Sequence, residues 1–451
     1  MAVLRRARLL ARGALPDDGA LLAVLAVGAL LRVILAFVTP LLFAPDETGH
    51  ALYVHEAAHG AFPTDSSDWL WGTSTGADEF FQPPLYYVLA GSLYRALLPF
   101  GTGALYGVRL LNVVIGLGVA VVTWHLCRAA FPNRRGVARW AASGVVLLPT
   151  FIGDSSSINN DVLCTLFVAL GTLILARSLR RGTFSGRDAV MLAAALGAGL
   201  WTKSSSLVLV PAILASGGVL WWRHHTGSGL IRACSAIAGG VVLVLPWWIG
   251  RNLVSYGSLV AAGFVYPKWT VPLGDKLSES MQTYPQTFFA AFGRINEVRP
   301  LTTVSMVLGA IAAVLLLVAA LRFRSLATGE RDAALVLGVE GAAVIISALL
   351  FGLGAHQLQG RYLFYALPAL AALTALGGEG IAQQIRVIPP RAGRLLAAAA
   401  VAYSTIAVTV AIGGFTDVQV VHRVGGPTWV SAYVTHDPAT WVQSRVIPVT
   451  R

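Results

Sequence analysis

Runs of about twenty apolar residues, separated by short polar stretches, recur along this chain from residue 20 to residue 413. They show neither the alternation of a half-buried strand nor the polar stripe of a surface helix, so most read as helices that are apolar all round. A helix of about 20 such residues is long enough to span the hydrocarbon of a bilayer. The runs predict eleven spans, at 20–38, 109–130, 138–152, 161–177, 189–203, 206–222, 232–249, 303–321, 333–353, 362–379 and 395–413. The stretch 84–98 is apolar too, but short and broken by Tyr86, Tyr87, Tyr94 and Arg95.

Charge decides how 84–98 is placed. If it does not cross, the arginine-rich loops at 133–135, 177–187, 223–232, 322–331 and 386–394 all fall on one side. That is the positive-inside pattern. If it crosses, the pattern fails throughout. The stretch is therefore expected to lie flat in the external interface as an amphipathic helix. The expected fold is an all-α polytopic membrane protein of about eleven transmembrane helices, with interfacial helices in a large first external loop. Residues 1–415 form one membrane domain, with external loops at 39–108 and 250–302, and 416–451 form a short external tail. The run at 20–38 exceeds the roughly 7–15 apolar residues of a secretory signal. It reads as an uncleaved first helix whose basic end, Arg5 to Arg12, is cytoplasmic in a multi-pass protein of the cell's inner or plasma membrane.

Composition agrees. The chain is 56% hydrophobic and 12% charged, where a soluble domain carries about 25% charge. The net charge of +12 sits in the inter-span loops and offers no nucleic-acid face. Cys127, Cys164 and Cys234 lie in or beside apolar runs and match no metal spacing.

The candidate chemistry collects on the external side. Pro45-Asp46-Glu47-Thr48-Gly49-His50 follows the first span, and its acidic pair with a nearby histidine suits a general base or a divalent cation. The plainer alternative is a solvated helix start, where carboxylates are favoured anyway. His55-Glu56-Ala57-Ala58-His59 matches a zinc-protease signature, without a convincing third ligand elsewhere. Gln82-Pro83-Pro84-Leu85-Tyr86-Tyr87 reads as an interfacial helix start, or as one wall of a cleft. Asp161 opens the fourth span, either as a cap or as a partner of Asp46 around one metal or phosphate. Lys203, Arg251 and Arg361 stand at external ends of spans, where cations are unusual. Singly they snorkel; together they suit a clamp for an anionic group such as a lipid phosphate. Arg32 and Glu340 lie inside spans, to pair or to line a cavity.

In order and sidedness these motifs resemble the GT-C superfamily of membrane glycosyltransferases, in the bacterial branch related to protein mannosyltransferases and the aminoarabinose transferase. The carriers are Asp46-Glu47 with His50, Gln82-Pro83-Pro84 where relatives often have His-Pro-Pro, and Asn160-Asp161. Thr202-Lys203, Trp247-Trp248-Ile249-Gly250-Arg251-Asn252 and Gln359-Gly360-Arg361-Tyr362 complete the order. The resemblance implies a polyprenyl-phosphate sugar donor, an external site, a cell-envelope glycan, lipid or protein as acceptor, and inversion at the sugar. By position it makes Asp46 the base, with Glu47 beside it. His50 and Asp161 would hold a divalent ion (magnesium or manganese rather than zinc) or orient the phosphate, and Lys203 and Arg361 would neutralise the leaving phosphate. Gln82, Tyr86, Tyr87 and, from the second loop, Trp269 are expected around the substrate. A lipid or polysaccharide transporter is the main alternative, but it predicts charged or broken helices at the midplane and paired halves. A zinc protease built on His55 and His59 is the third.

Overall fold

The computed structural model describes residues 16–64, 79–225, 227–260, 270–292, 301–355, 358–384 and 390–415, with four short strands beyond. The helices are α1 (Gly19–Val38), α2 (Glu47–Ala58), α3 (Leu85–Leu97), α4 (Gly103–Ala130), α5 (Arg135–Leu147), α6 (Pro149–Asp154), α7 (Asp161–Arg181) and α8 (Gly186–Thr202). They continue with α9 (Leu209–His224), α10 (Ser228–Trp247), α11 (Leu273–Phe289), α12 (Thr302–Leu321), α13 (Thr328–Ala355), α14 (Leu367–Gln384) and α15 (Pro390–Phe415). Each of the eleven apolar runs holds a helix. Among the described residues nine helical segments are long and apolar enough to cross a membrane. The other two runs hold α5 with α6, and α8, of 13, 6 and 17 residues. The chain is a multi-pass membrane protein. Trp269 lies outside the described residues, as does most of the tail, where β1 (Gln419–His422) pairs antiparallel with β3 (Ser431–Val434) and β2 (Thr428–Trp429) with β4 (Ile447–Pro448).

Ion pairs show which loops share an end of the bundle. Arg134 pairs with Glu330 at 3.1 Å and Glu379 at 2.5 Å, Arg223 with Asp332 at 2.7 Å, and Arg139 with Asp18 at 2.7 Å. The start of α1, the turns after α4, α9 and α12, and the C-terminal part of α14 are therefore together. The opposite end is tied by Arg109 of α4, whose guanidinium donates to the carbonyls of Ala36, Thr39 and Pro40 at 2.7–2.9 Å. This joins the exit of α1 to the first turns of α4, so α3 between them makes no crossing. At 13 residues it is roughly 20 Å long, well short of the ~30 Å hydrocarbon core.

Arg109 also corrects one sequence expectation. Glu47 is not free for chemistry: both carboxylate oxygens accept from Arg109 at 2.7 Å, and both side chains are fully buried. The same carboxylate accepts the backbone N–H groups of Ile158 and Ala44. Successive residues of a helix point about 100° apart, so the neighbour of Asp46 faces the packing rather than the cleft. Removing one partner of a buried, fully bonded pair leaves the other charge stranded. Arg109→Ala is expected to cost about 3–5 kcal/mol of stability, read by unfolding of the purified protein in detergent. A double-mutant cycle with Glu47→Ala should be strongly non-additive.

Arg32 and Glu340 do not pair. Arg32 donates to Ser155 Oγ at 2.8 Å and to the carbonyls of Val146 and Gly28, stitching α1 to α5 and α6. Glu340 accepts from Thr172 Oγ1 at 2.8 Å between α13 and α7. Each supplies a polar contact in an apolar interior, where unbonded polar groups are costly.

Candidate active site

Asp46 sits between α1 and α2 with φ +57°, in the left-handed region that aspartate tolerates better than most residues. Although it precedes the first turn of α2, its side chain makes no capping bond there. It pairs instead with Arg361 Nη2. Asp161, fully buried at the start of α7, accepts from Lys203 Nζ at 2.5 Å and from Tyr365 Oη at 2.8 Å, with Arg361 Nη1 at 3.7 Å. The order is thus Asp46, Arg361, Asp161, Lys203: two carboxylates alternating with two cations, drawn from four separate parts of the chain.

Local backbone explains how the cations arrive. The C-cap of α8 is Lys203 in an extended conformation (φ −162°, ψ 138°), which throws its side chain out of the helix before the 3-10 turn Ser204–Val208. Arg361 rides on a second 3-10 segment, Gly360–Ala366, and Tyr365 follows one turn on. A Cβ on Gly360 would lie 2.3–2.4 Å from the backbone N and Cα of Phe288. Only glycine lets α11 press against this segment and fix the Arg361 backbone.

Asp46, Lys203, Arg361 and Tyr365 open on one cavity of about 430 Å³, with Asp161 buried behind them. Asp46, Glu79, Gln82, Lys203, Arg361 and Tyr365 give it a polar end. Its flank is mainly apolar, made by Leu207, Val208 and Pro211 on one side and by Ala343, Ala348 and Phe351 of α13 on the other. Burial alone would raise the Asp46 carboxyl, but Arg361 overrides it and holds the group below the usual carboxylate range. Glu79 behaves oppositely: burial, then the charge of Asp46, pushes it up to about 7. Asp154, close behind on α6, is also pushed to about 7 by burial and then by Asp161. It lines a smaller space of about 50 Å³ on another side of Arg361, with Thr150, Ser156 and Thr287.

Several expected residues lie elsewhere. The His50 ring is buried, its Nδ1 2.8 Å from Tyr87 Oη, and burial followed by the charge of Lys203 lowers it to about 3. Tyr87 stacks on Tyr53 with ring centroids 3.8 Å apart, and Tyr86 is wholly buried beside it. Neither tyrosine lines the cavity; of the proposed cleft residues on this stretch, Gln82 does. Arg251 joins no clamp. It donates to the carbonyls of Pro63 and Phe80 at 2.5 and 2.7 Å and lies 4.3 Å from the Trp247 ring. The expected metal pair is engaged too, His50 by Tyr87 and Asp161 by two cations. Among the described residues no three His, Cys, Asp or Glu side chains cluster as metal ligands. These residues do not fit a divalent ion. For the zinc signature, His55 and His59 have ring centroids 4.6 Å apart, but His59 Nδ1 bonds the His55 carbonyl at 2.8 Å and no third ligand joins them among the described residues.

Sequence reading missed Arg109, Glu79, Asp154 and Tyr365. Arg109 carried the signal that singled out Lys203, a cation at the wrong end of a span. Tyr365 stands four residues after Arg361, one helical turn. For Glu79 and Asp154 no local pattern separates them from other loop carboxylates.

Residues 83–263 match the dolichyl-phosphate-mannose-protein mannosyltransferase family. A stretch of 217 residues, 46% of this chain and 36% of the relative, is 27% identical to the undecaprenyl phosphate-alpha-4-amino-4-deoxy-L-arabinose arabinosyl transferase of Pseudomonas aeruginosa. Among solved structures, the Archaeoglobus fulgidus oligosaccharyltransferase AglB, in complex with an inhibitory peptide and a dolichol-phosphate, superposes with a TM-score of 0.56 at 15% identity. That match covers 88% of this chain and 56% of AglB, so the chain spans about half that protein's length. ArnT from Cupriavidus metallidurans bound to undecaprenyl phosphate gives 0.52 at 17% identity, covering 89% of this chain and 76% of ArnT. The chain therefore shares its all-helical membrane fold with AglB and ArnT.

Proposed function

We propose that this protein is an integral-membrane glycosyltransferase that moves a sugar from a polyprenyl-phosphate donor to a cell-envelope acceptor, inverting the anomeric centre. The observation that carries this is the single cavity where Asp46, Lys203 and Arg361 meet beside an apolar flank. Such a shape suits a molecule with an anionic head and a hydrocarbon tail. Lys203 and Arg361 supply the positive charge that a phosphate needs as it leaves. The tail runs between α9 and α13. The cavity lies at the end of the bundle opposite the arginine-rich loops, and the positive-inside rule supports reading that end as external.

In the reaction the acceptor oxygen attacks the anomeric carbon as its bond to the phosphate oxygen breaks. The bonding pair leaves with the phosphate, and the acceptor proton passes to Asp46. Attack from the face opposite the departing phosphate gives inversion. Arg361 links the two events. In the empty site it is spent on Asp46 and Asp161; a bound phosphate draws it away, and Asp46 then becomes a stronger base. The phosphate leaves as an anion, so no acid is required opposite Asp46. The test is transfer from a panel of polyprenyl-phosphate sugars by the purified protein, with saturable binding of undecaprenyl phosphate as the companion measurement. Transfer from at least one donor supports the reading. Failure of wild-type protein to bind any polyprenyl phosphate overturns it.

A further inference from the structure

Glu79 is a cavity-lining carboxyl that the reaction above leaves unused. Its side chain is 4% exposed, and among the described residues it has no ion-pair partner. Its Oε2 accepts from Gln82 Nε2 at 3.0 Å, and the backbone N–H of Gln82 closes the same turn onto the Glu79 carbonyl at 3.0 Å. The turn is pinned from behind. Arg251 Nη2 bonds the Phe80 carbonyl, and Asn252 Nδ2 bonds the Phe81 carbonyl at 3.2 Å. Both donors come from the π-helical turn Trp248–Leu253 that continues α10 just past Pro246. A helix distorted in this way is a common local solution at functional sites. Here it holds a short loop carboxyl and amide rigidly against the cavity, the preorganisation that recognition requires.

Charge then decides the protonation state. The groups facing Glu79 are Asp46, Lys203, Arg361 and, from α3, the Tyr87 hydroxyl. Asp46, Asp161 and Glu79 together with an incoming phosphate would set four negative charges against two cations. An ionised Glu79 cannot be matched there, whereas a neutral one donates a hydrogen bond and retains a carbonyl acceptor. A neutral acid beside an amide offers donors and acceptors together, the set that hydroxyl groups on a sugar ring use.

We infer that Glu79, oriented by Gln82, is a specificity-determining residue that donates a hydrogen bond to a hydroxyl oxygen of the donor's sugar. This rests on the transferase reading and adds the part of the cavity that holds the sugar. Burial and the charge of Asp46 keep the group protonated up to about pH 7. Affinity for the sugar-bearing donor is therefore full only well below pH 7 and falls as the pH rises through that value.

The experiment compares wild type, Glu79→Gln and Glu79→Ala. Each is titrated between pH 6 and pH 8.5 with a polyprenyl-phosphate hexose that supports transfer, and with undecaprenyl phosphate, which has no sugar. Wild type should bind the hexose donor progressively less tightly above pH 7. Glu79→Gln should bind it near the wild-type low-pH affinity at every pH, because the amide donates without titrating. Glu79→Ala should lose about 10- to 100-fold in affinity for the hexose donor. At pH 6, where Glu79 is neutral in wild type, all three should bind undecaprenyl phosphate equally, which also reports an intact fold. A Glu79→Gln protein that keeps the wild-type pH dependence overturns this inference alone. So does a Glu79→Ala protein that loses both ligands in parallel, or one that changes only the KM for the acceptor. Wild-type protein that binds neither lipid overturns the transferase reading, and this inference falls with it.

Discussion

Asp46→Asn is expected to reduce transfer by about 10²–10⁴-fold, the usual contribution of a positioned general base, while leaving donor binding intact or tighter. Asparagine is the informative replacement. Like aspartate it tolerates the left-handed backbone at φ +57°, so the loop between α1 and α2 keeps its course and only the proton acceptor is lost. Alanine would add backbone strain to the chemical loss and blur the two. Because the asparagine side chain carries no charge, Arg361 is released to the phosphate, and the donor dissociation constant should stay level or fall. Single-turnover transfer and equilibrium donor binding measure the two effects separately. Equal turnover by wild type and Asp46→Asn would remove Asp46 from the mechanism.

Arg361→Ala should lower kcat by about 10²–10³-fold, the scale seen when one preorganised donor to developing negative charge is removed. It should also change the pH profile in a direction fixed by the geometry. In wild type Arg361 holds the Asp46 carboxyl below its usual range. A base must be ionised, so the acid limb of the kcat/KM profile, which reports the free enzyme, lies below the ordinary carboxylate region. Without Arg361, burial raises the group and the acid limb moves to higher pH. Lysine should rescue little, since Arg361 reaches Asp46 with one terminal nitrogen and approaches Asp161 with the other, a fork that a single ammonium lacks. An Arg361→Lys enzyme with wild-type kcat and an unmoved acid limb would contradict the bridging role.

The membrane architecture was legible because it depends on a local quantity: each of the eleven apolar runs proved helical, and among the described residues nine hold a helix long and apolar enough to cross a membrane. The flat placement of 84–98 came from charge bookkeeping alone, and the Arg109 bonds to the end of α1 support it. The site was legible in part. Asp46, Asp161, Lys203 and Arg361 could be picked out because each puts charge at the same end of an apolar helix, a cost that a sequence displays openly. What a sequence hides is which way a side chain points. Asp46 and Glu47 are neighbours, yet one opens on the cavity and the other is buried against Arg109, a partner 62 residues away. His50 and Arg251 stood in the right order and at the right end, but each was turned to a second task, the Tyr87 hydroxyl and the Phe80 carbonyl. Such assignments are fixed by tertiary packing, and no spacing rule reaches them.

The flank of the cavity lies between α9 and α13, two helices long and apolar enough to cross a membrane, so under the proposed function a lipid donor would approach along the plane of the bilayer and not from bulk water. Its concentration is then a surface density. Saturation should follow the mole fraction of donor among the surrounding lipids, and added detergent should weaken turnover simply by spreading the same donor through more micellar volume. Kinetic constants for this protein will agree between preparations only when expressed on that two-dimensional scale.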